Sequence, residues 1–278
     1  MKHKAQLLEA ARAIMEGADL FREALSGAKQ AKIIGTLQRR MAEVFKRQGK
    51  LLAPKLERLK PYFVEGSLRE AAGDDILTMF EEVSGATRVQ AEKALEACLF
   101  DGLTMSFVEQ AQELHVAGSF KLPQPRAKEW ARLNAAKRVA AIDDTTQQVI
   151  RDMVTKGIAD GESYGTVAKK ITTRFEGFAV GRPQEHIRSR AEMVAVTENA
   201  YAMEGGNRML VDDMVATGLA MEKSRGGPDD ERTSDACRAD MDAGWIPEDQ
   251  LFPSGISEGP EHPGCRHNTQ YRVAREEE

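Results

Sequence analysis

Up to Leu219, apolar positions recur with a helical period; beyond it that period is lost. Residues 5–26 are rich in Ala, Leu and Glu and predict a helix that stops near Ser26 and Gly27. Over 28–48, Ile34, Leu37, Met41, Val44 and Phe45 fall on one helical face, with basic residues between them. Pro54 and Pro61 interrupt the pattern, so 50–66 is expected to be broken helix. Helical spacing returns over 74–83 and 86–117, with Asp74 and Gly85 as punctuation. In GSFKLPQPR, residues 118–126, Pro123 and Pro125 favour extended backbone. A linker is expected there, separating a domain 1–122 from a domain 127–275.

The second half opens with a predicted helix over 127–141. Asp144, with Gln147 three residues on, resembles a capping box that starts a new helix, ended by the glycines of 157–161. Ser163 can cap the next, in which Val167, Ile171 and Phe175 recur every four residues. Residues 177–183 read as a loop. A longer helix is expected over 185–203, ending at Gly205 and Gly206, with a short one over 207–216. Thereafter short apolar segments alternate with turn residues, and 220–223, Trp245 with Ile246, Leu251 with Phe252, and 269–273 are candidate strands. The fold class expected is α+β: a helical N-terminal region, a helical lead-in, and a small C-terminal β-rich cap.

Composition agrees with this picture. Hydrophobic residues are 41% of the chain, enough for a core, but aromatics are only 6%, which favours helix packing by Leu, Ala, Val and Met over an all-β sandwich. No apolar run approaches membrane-span length, no signal peptide is read at the start, and three cysteines make no disulfide framework. A soluble protein made in a reducing cytoplasm is expected. Charge is uneven. Residues 28–60 hold ten Lys and Arg against Glu43 and Glu57, whereas 225–278 hold six Arg against thirteen Asp and Glu. The two ends therefore suit different partners. Cys98, between Leu95 and Leu99, reads as a small buried hydrophobe.

Two groups of residues carry candidate chemistry. On the 185–203 helix, Ile187, Ala191, Val194 and Tyr201 define an apolar face, and Arg190, Thr197 and Glu198 lie on or beside it. An Arg and a Glu at a core interface need partners. They form either a buried network locking the helix to the β segment or an acid with an anion-binding Arg. The second group lies in 230–267, which is dense in Gly, Pro and Asp, so that little helix is expected there. It contains Cys237, His262, Cys265 and His267. Thiolate and imidazole are zinc ligands, and four of them make a closed structural site. Ser234 stands where a CxxC partner of Cys237 would be. Unbonded thiols and a disulfide are the other readings.

In order along the chain come RAEMVAVTENAYAMEGG at 190–206, DERTSDAC at 230–237, the Trp-Ile and Leu-Phe pairs, and HPGCRH at 262–267. Together they resemble the phage Mu F-like domain of minor head, or head morphogenesis, proteins of tailed bacteriophages. Thr197 and Glu198 match its Thr-Glu core, with Val196 in the place of an Arg. Asp230, Arg232, Thr233 and Cys237 match its turn, and His262, Pro263, Cys265 and Arg266 its close. Ser234 replaces the first Cys of the turn and His267 the last Cys of the close. Residues 145–171 resemble the family's helical lead-in, and the resemblance extends over about 127–275.

The resemblance implies a virion component, made in the host bacterial cytoplasm, that acts at the portal vertex in capsid assembly and DNA packaging or delivery. Portal protein and major capsid or scaffold protein are the implied partners, and no enzymatic activity is implied. The basic stretch 28–60 could face DNA, with nonspecific, salt-dependent phosphate contacts, or an acidic portal surface, or simply solvent. Two other classes remain. One is a nucleotide-using transferase of toxin type built on Glu198 and Arg190, which requires Glu198 in a deep pocket with a raised pKa and fails if Glu198 is sealed and paired with an Arg. The other is a zinc-knuckle regulator, which requires a basic surface around the knuckle.

Overall fold

A computed structural model describes residues 2–65, 69–116, 124–180 and 189–274. Its helices are fewer and longer than the punctuation in the sequence suggested. Helix α1 runs over Lys2–Leu52, followed by a 3-10 helix Ala53–Leu59 and the short α2, Lys60–Glu65. Then come α3, Arg69–Glu113; α4, Gln124–Ala159; α5, Tyr164–Val180; and α6, Arg190–Ala216. The expected breaks at Gly27 and Gly85 do not occur. A Cβ at either position would meet nothing within 4 Å. Such an exposed glycine weakens a helix by only about 1 kcal/mol, less than the flanking turns gain by packing. Nor does Asp144 start a helix, because α4 passes through it. Pro125 lies in the first turn of α4, where its missing N–H has no partner to lose. The linker expected over 118–126 falls largely outside the described residues, as do 181–188, which cover the last three residues of the expected 177–183 loop and the start of the expected 185–203 helix; the loop's first four residues, 177–180, instead continue α5.

The largest difference concerns α6, which continues through Gly205 and Gly206 to Ala216. These glycines permit close approach instead of ending the helix. A Cβ on Gly206 would stand 2.3 Å from the Leu103 carbonyl oxygen of α3, and one on Gly205 would stand 2.4 Å from the Trp130 ring of α4. From the other side, a Cβ on Gly102 of α3 would meet Ala202 Cβ at 2.8 Å. Helices α3 and α6 therefore cross almost backbone to backbone.

One apolar cluster takes in Leu37 and Phe45 of α1, Phe80 and Leu95 of α3, Val139 and Ile150 of α4, Phe175 of α5, and Ala195 and Ala202 of α6. Phe175 and Phe178 meet edge to face with centroids 5.2 Å apart, and Phe178 meets Phe45 at 5.4 Å. Cys98 is buried in this cluster, and burial pushes its thiol up to about 12. A second cluster joins Leu103 and Phe107 of α3 to Leu210 and Met214 of α6, and to Met221 and Tyr271 of the cap.

The cap is a three-stranded antiparallel sheet with β1, Met221–Gly226, between β2, Ile246–Pro247, and β3, Asn268–Val273. Leu251 and Phe252 form no strand. Phe252 instead opens a turn in which its N–H donates to Ile256 O, and Gly255 adopts a positive φ. The segment expected to hold little helix contains one short helix, α7, Asp235–Asp242. Ser234 caps it by accepting from the Cys237 N–H, and Asp235 sits in its first turn. Among the described residues no helix is long and apolar enough to cross a membrane.

Candidate functional site

Helix α6 carries the cap on one side and the helices on the other. Thr197 Oγ1 accepts from the Gly264 N–H at 2.9 Å and donates to Met193 O at 2.8 Å, so the 262–267 turn hangs on this hydroxyl. Two turns on, Glu204 Oε1 accepts from the Thr269 N–H of β3 at 2.7 Å. Glu204 is buried, and burial pushes its carboxyl up to about 7. Arg208 reaches Glu248 at 2.6 Å and Asp212 at 2.7 Å. Residues one to two turns apart on one helix face thus make successive contacts to the cap.

The other two polar residues expected to anchor the cap do not touch it. Glu198 pairs with Arg138 of α4 at 2.9 Å, and the Arg138 guanidinium lies 3.4 Å over the Tyr201 ring. Burial pushes the Glu198 carboxyl up to about 7, with Arg138 pulling against it. Arg190 donates to Ile142 O of α4 at 3.2 Å and lies over the Phe178 ring at 4.6 Å. Burial lowers its pKa to about 10. Both residues join helix to helix, and they belong to separate contacts.

The loop between β1 and α7 is built on Asp230. Its carboxylate takes a two-pronged bond from Arg266, at 2.5 and 2.9 Å, and accepts from the Arg232 N–H at 2.9 Å. Arg266 holds this carboxyl well below the usual carboxylate range. Thr233 Oγ1 accepts from the Asp230 N–H and donates to Pro228 O at 2.9 Å. The same Pro228 carbonyl receives His267 Nε2 at 2.9 Å. Arg266 and Asp230 thus fasten the two cysteine-bearing segments to each other. Arg238 pairs with Asp229 at 3.1 Å, so Arg232, Arg238 and Arg266 around the cluster are each matched by Asp229 or Asp230.

These bonds bring the sulfur and imidazole groups together. Cys237 Sγ stands 3.7 Å from Cys265 Sγ and 3.8 Å from His262 Nε2, and Cys265 Sγ stands 3.5 Å from His267 Nδ1. The ligand atoms of Cys237, Cys265 and His267 all lie within 4.8 Å of one another, and all three residues are buried. His262, on the exposed side, reaches Cys237 alone of these and stands outside that group of three. Arg225 Nη2 approaches Cys265 Sγ at 3.6 Å while Nη1 donates to Gly259 O. Burial pushes the Cys237 thiol up, against the pull of the Ser234 hydroxyl, and burial lowers the pKa of His267.

Several residues that shape the cap gave little sign in the sequence. Glu204 adjoins Gly205 and Gly206, and reading those glycines as a helix end hides it. Lys223 and Arg225 sit on a strand yet are buried, with Lys223 Nζ donating to Ser257 O at 2.7 Å. Asp240 is buried on α7 and accepts from both the N–H and the hydroxyl of Ser254. An alternating charge in a short strand ordinarily signals an exposed face, so only the return of 251–259 over the sheet explains them.

The family model described as phage Mu protein F like protein matches residues 148–270. That span begins in the second half of α4 and closes within β3, so it takes in α5, α6 and nearly all of the cap. No curated protein matches the chain, and no solved structure does.

Proposed function

Because this chain is a phage Mu F-like protein over residues 148–270, and so of a phage head morphogenesis type, we propose that it acts at the portal vertex of a tailed-phage head, in capsid assembly and in DNA packaging or delivery. What supports this reading is that the residues carrying the family pattern are those that build the cap. Asp230 and Arg266 clamp its two loops, Thr233 braces one of them, and Thr197 suspends the other from α6. The cap and lead-in are then the common part, and the long helices ahead of them are the part fitted to a particular head.

Partner contact is assigned to α1 and its continuation. Lys29, Lys32, Arg39, Arg40, Lys46, Arg47, Lys50, Arg58 and Lys60 are all exposed. Some are engaged locally, as Arg47 is with Gln90 and Lys60 with Glu57. The rest offer a positive face to another head component, in the first place an acidic portal surface, and to DNA as the second possibility. The transferase reading loses its geometric support, since Glu198 is enclosed with Arg138 and does not share a site with Arg190.

The test is co-purification of the full chain with the portal ring of the same phage, followed by cross-linking and mass spectrometry. Cross-links from Lys29, Lys32, Lys46 and Lys50 to the portal are expected. A parallel binding assay on duplex DNA reads the salt dependence, which should be steep if phosphates are contacted. Failure of the chain to associate with portal, capsid or scaffold protein, in infected cells and with purified components alike, would overturn the assignment.

A further inference from the structure

The sulfur and imidazole group of the cap has a geometry that two idle thiols do not require. A tetrahedral zinc ion with bonds of about 2.3 Å to sulfur and about 2.05 Å to nitrogen sets sulfur–sulfur edges of about 3.8 Å and sulfur–nitrogen edges of about 3.6 Å. Three edges here are 3.7 Å between Cys237 and Cys265, 3.5 Å between Cys265 and His267, and 3.8 Å between Cys237 and His262. All three lie within a few tenths of an ångström of the tetrahedral values.

The tautomers agree with the distances. A carbonyl oxygen can only accept, so the ring nitrogen facing one must carry the proton. His267 Nε2 faces Pro228 O at 2.9 Å, which leaves the lone pair of Nδ1 directed at Cys265. His262 Nδ1 faces Pro263 O at 3.2 Å, which leaves the lone pair of Nε2 directed at Cys237. Two histidines using opposite nitrogens are each backed by a carbonyl, His267 presenting a bare nitrogen to Cys265 within the group of three and His262 presenting one to Cys237 from its rim. Backing of this kind is what orients an imidazole that binds a metal. Arg225 supplies a further support, since a guanidinium aimed at sulfur at 3.6 Å is best placed against a thiolate.

We propose that Cys237 Sγ, His262 Nε2, Cys265 Sγ and His267 Nδ1 are the four ligands of one structural zinc ion that fastens α7 to the 262–267 turn. Two thiolates neutralise the divalent charge, and four protein ligands leave no open position, so the role is to hold the cap and not to activate water. Binding releases the two thiol protons and couples metal affinity to folding of the cap. The inference stands apart from where the protein acts in the head.

The full chain, purified from a reducing bacterial cytoplasm without chelator, should carry one zinc per molecule by elemental analysis. Replacement by cobalt should give sulfur-to-cobalt charge-transfer bands and the intense visible absorption of a tetrahedral ion. Cys265→Ser should abolish both. Because that change could also unfold the cap, His262→Ala serves as the second variant. His262 lies on the exposed rim, so the variant should keep its circular dichroism while losing at least about tenfold in zinc affinity against a competing chelator. His115→Ala should match the parent. Absence of zinc and of a cobalt spectrum in folded, reduced protein would overturn the proposal. So would a Cys237–Cys265 disulfide in protein freshly isolated from that cytoplasm, or a His262→Ala variant that binds as tightly as the parent.

Discussion

Replacing Glu204 by Gln should make the protein more stable at mildly alkaline pH, which is unusual for loss of a buried, hydrogen-bonded side chain. Glu204 has one oxygen bonded to the Thr269 N–H at 2.7 Å, and its other oxygen is buried with no hydrogen-bond partner among the described residues. Burial raises its pKa from 4.5 to about 7, against the pull of the Thr269 N–H and Arg225 and aided by the charge of Glu258. In the unfolded chain the proton leaves near 4.5; in the fold it is held to about 7. Between those values the native state binds a proton that the unfolded state lacks, so stability is full below 4.5 and falls as pH rises through 7. At about 1.4 kcal/mol per pH unit, the loss amounts to about 3 kcal/mol by about pH 8.

Gln keeps the acceptor for Thr269 and has no proton to lose. The two proteins should therefore be within about 1 kcal/mol of each other at about pH 4, and the variant should lead by about 3 kcal/mol at about pH 8. In a chain of this length that corresponds to a rise in Tm of about 6 °C. The assay is denaturant unfolding followed by circular dichroism at a series of pH values, read as the difference between variant and parent so that other titrating groups cancel. A difference that stays flat with pH would refute the argument. A variant less stable at about pH 8 would show instead that Glu204 is ionised and needed as a charge.

Glu198→Gln should act in the same sense, since burial raises Glu198 from 4.5 to about 7 even against the pull of Arg138, but with a smaller gain because the Arg138 guanidinium loses its partner; thermal unfolding at about pH 8 beside Glu204→Gln measures the difference. Gly206→Ala should lower stability by about 1–3 kcal/mol, since the added methyl meets the Leu103 carbonyl oxygen at 2.3 Å and backbone must shift. Gly85→Ala, in the open middle of α3, should raise it by about 0.5–1 kcal/mol, and denaturant midpoints of the pair would measure both. Thr197→Val leaves the Gly264 N–H without its acceptor and should lower stability by about 1–3 kcal/mol, with faster amide exchange confined to the 262–267 turn.

Much of this architecture could be read from residue order, and the failures have a common cause. The apolar faces of 28–48 and 163–175, and Ala191 and Val194 of the 185–203 face, lie in the buried cluster, and the strands at 220–223, at Ile246 and at 269–273 are present with ends shifted by a few residues. Gly27, Gly85, Gly205 and Gly206 were all expected to break helices and none does. A glycine's local preference is about 1 kcal/mol, which tertiary packing exceeds, and the sequence alone does not reveal that another backbone lies against Gly206. In the site, Thr197 was assigned to the cap and reaches it. Arg190 and Glu198 looked equivalent to Thr197 along the helix yet turn toward α4, because a period of 3.6 residues orders faces without saying which neighbour covers each. Ser234, which stands where a CxxC partner would be, is also the cap of a helix too short for periodicity to disclose.

The crossing at Gly102 and Gly206 has a consequence for handling the molecule in pieces. With glycines at the seam faced by little more than Ala202 and Asn199, α6 cannot tilt against α3 without separating from it. Torque applied at α3 is passed to the suspended turn and strand as though through a keyed shaft. A fragment beginning at residue 124 would carry that shaft with its keyway uncovered, and should gather into aggregates that the intact chain avoids.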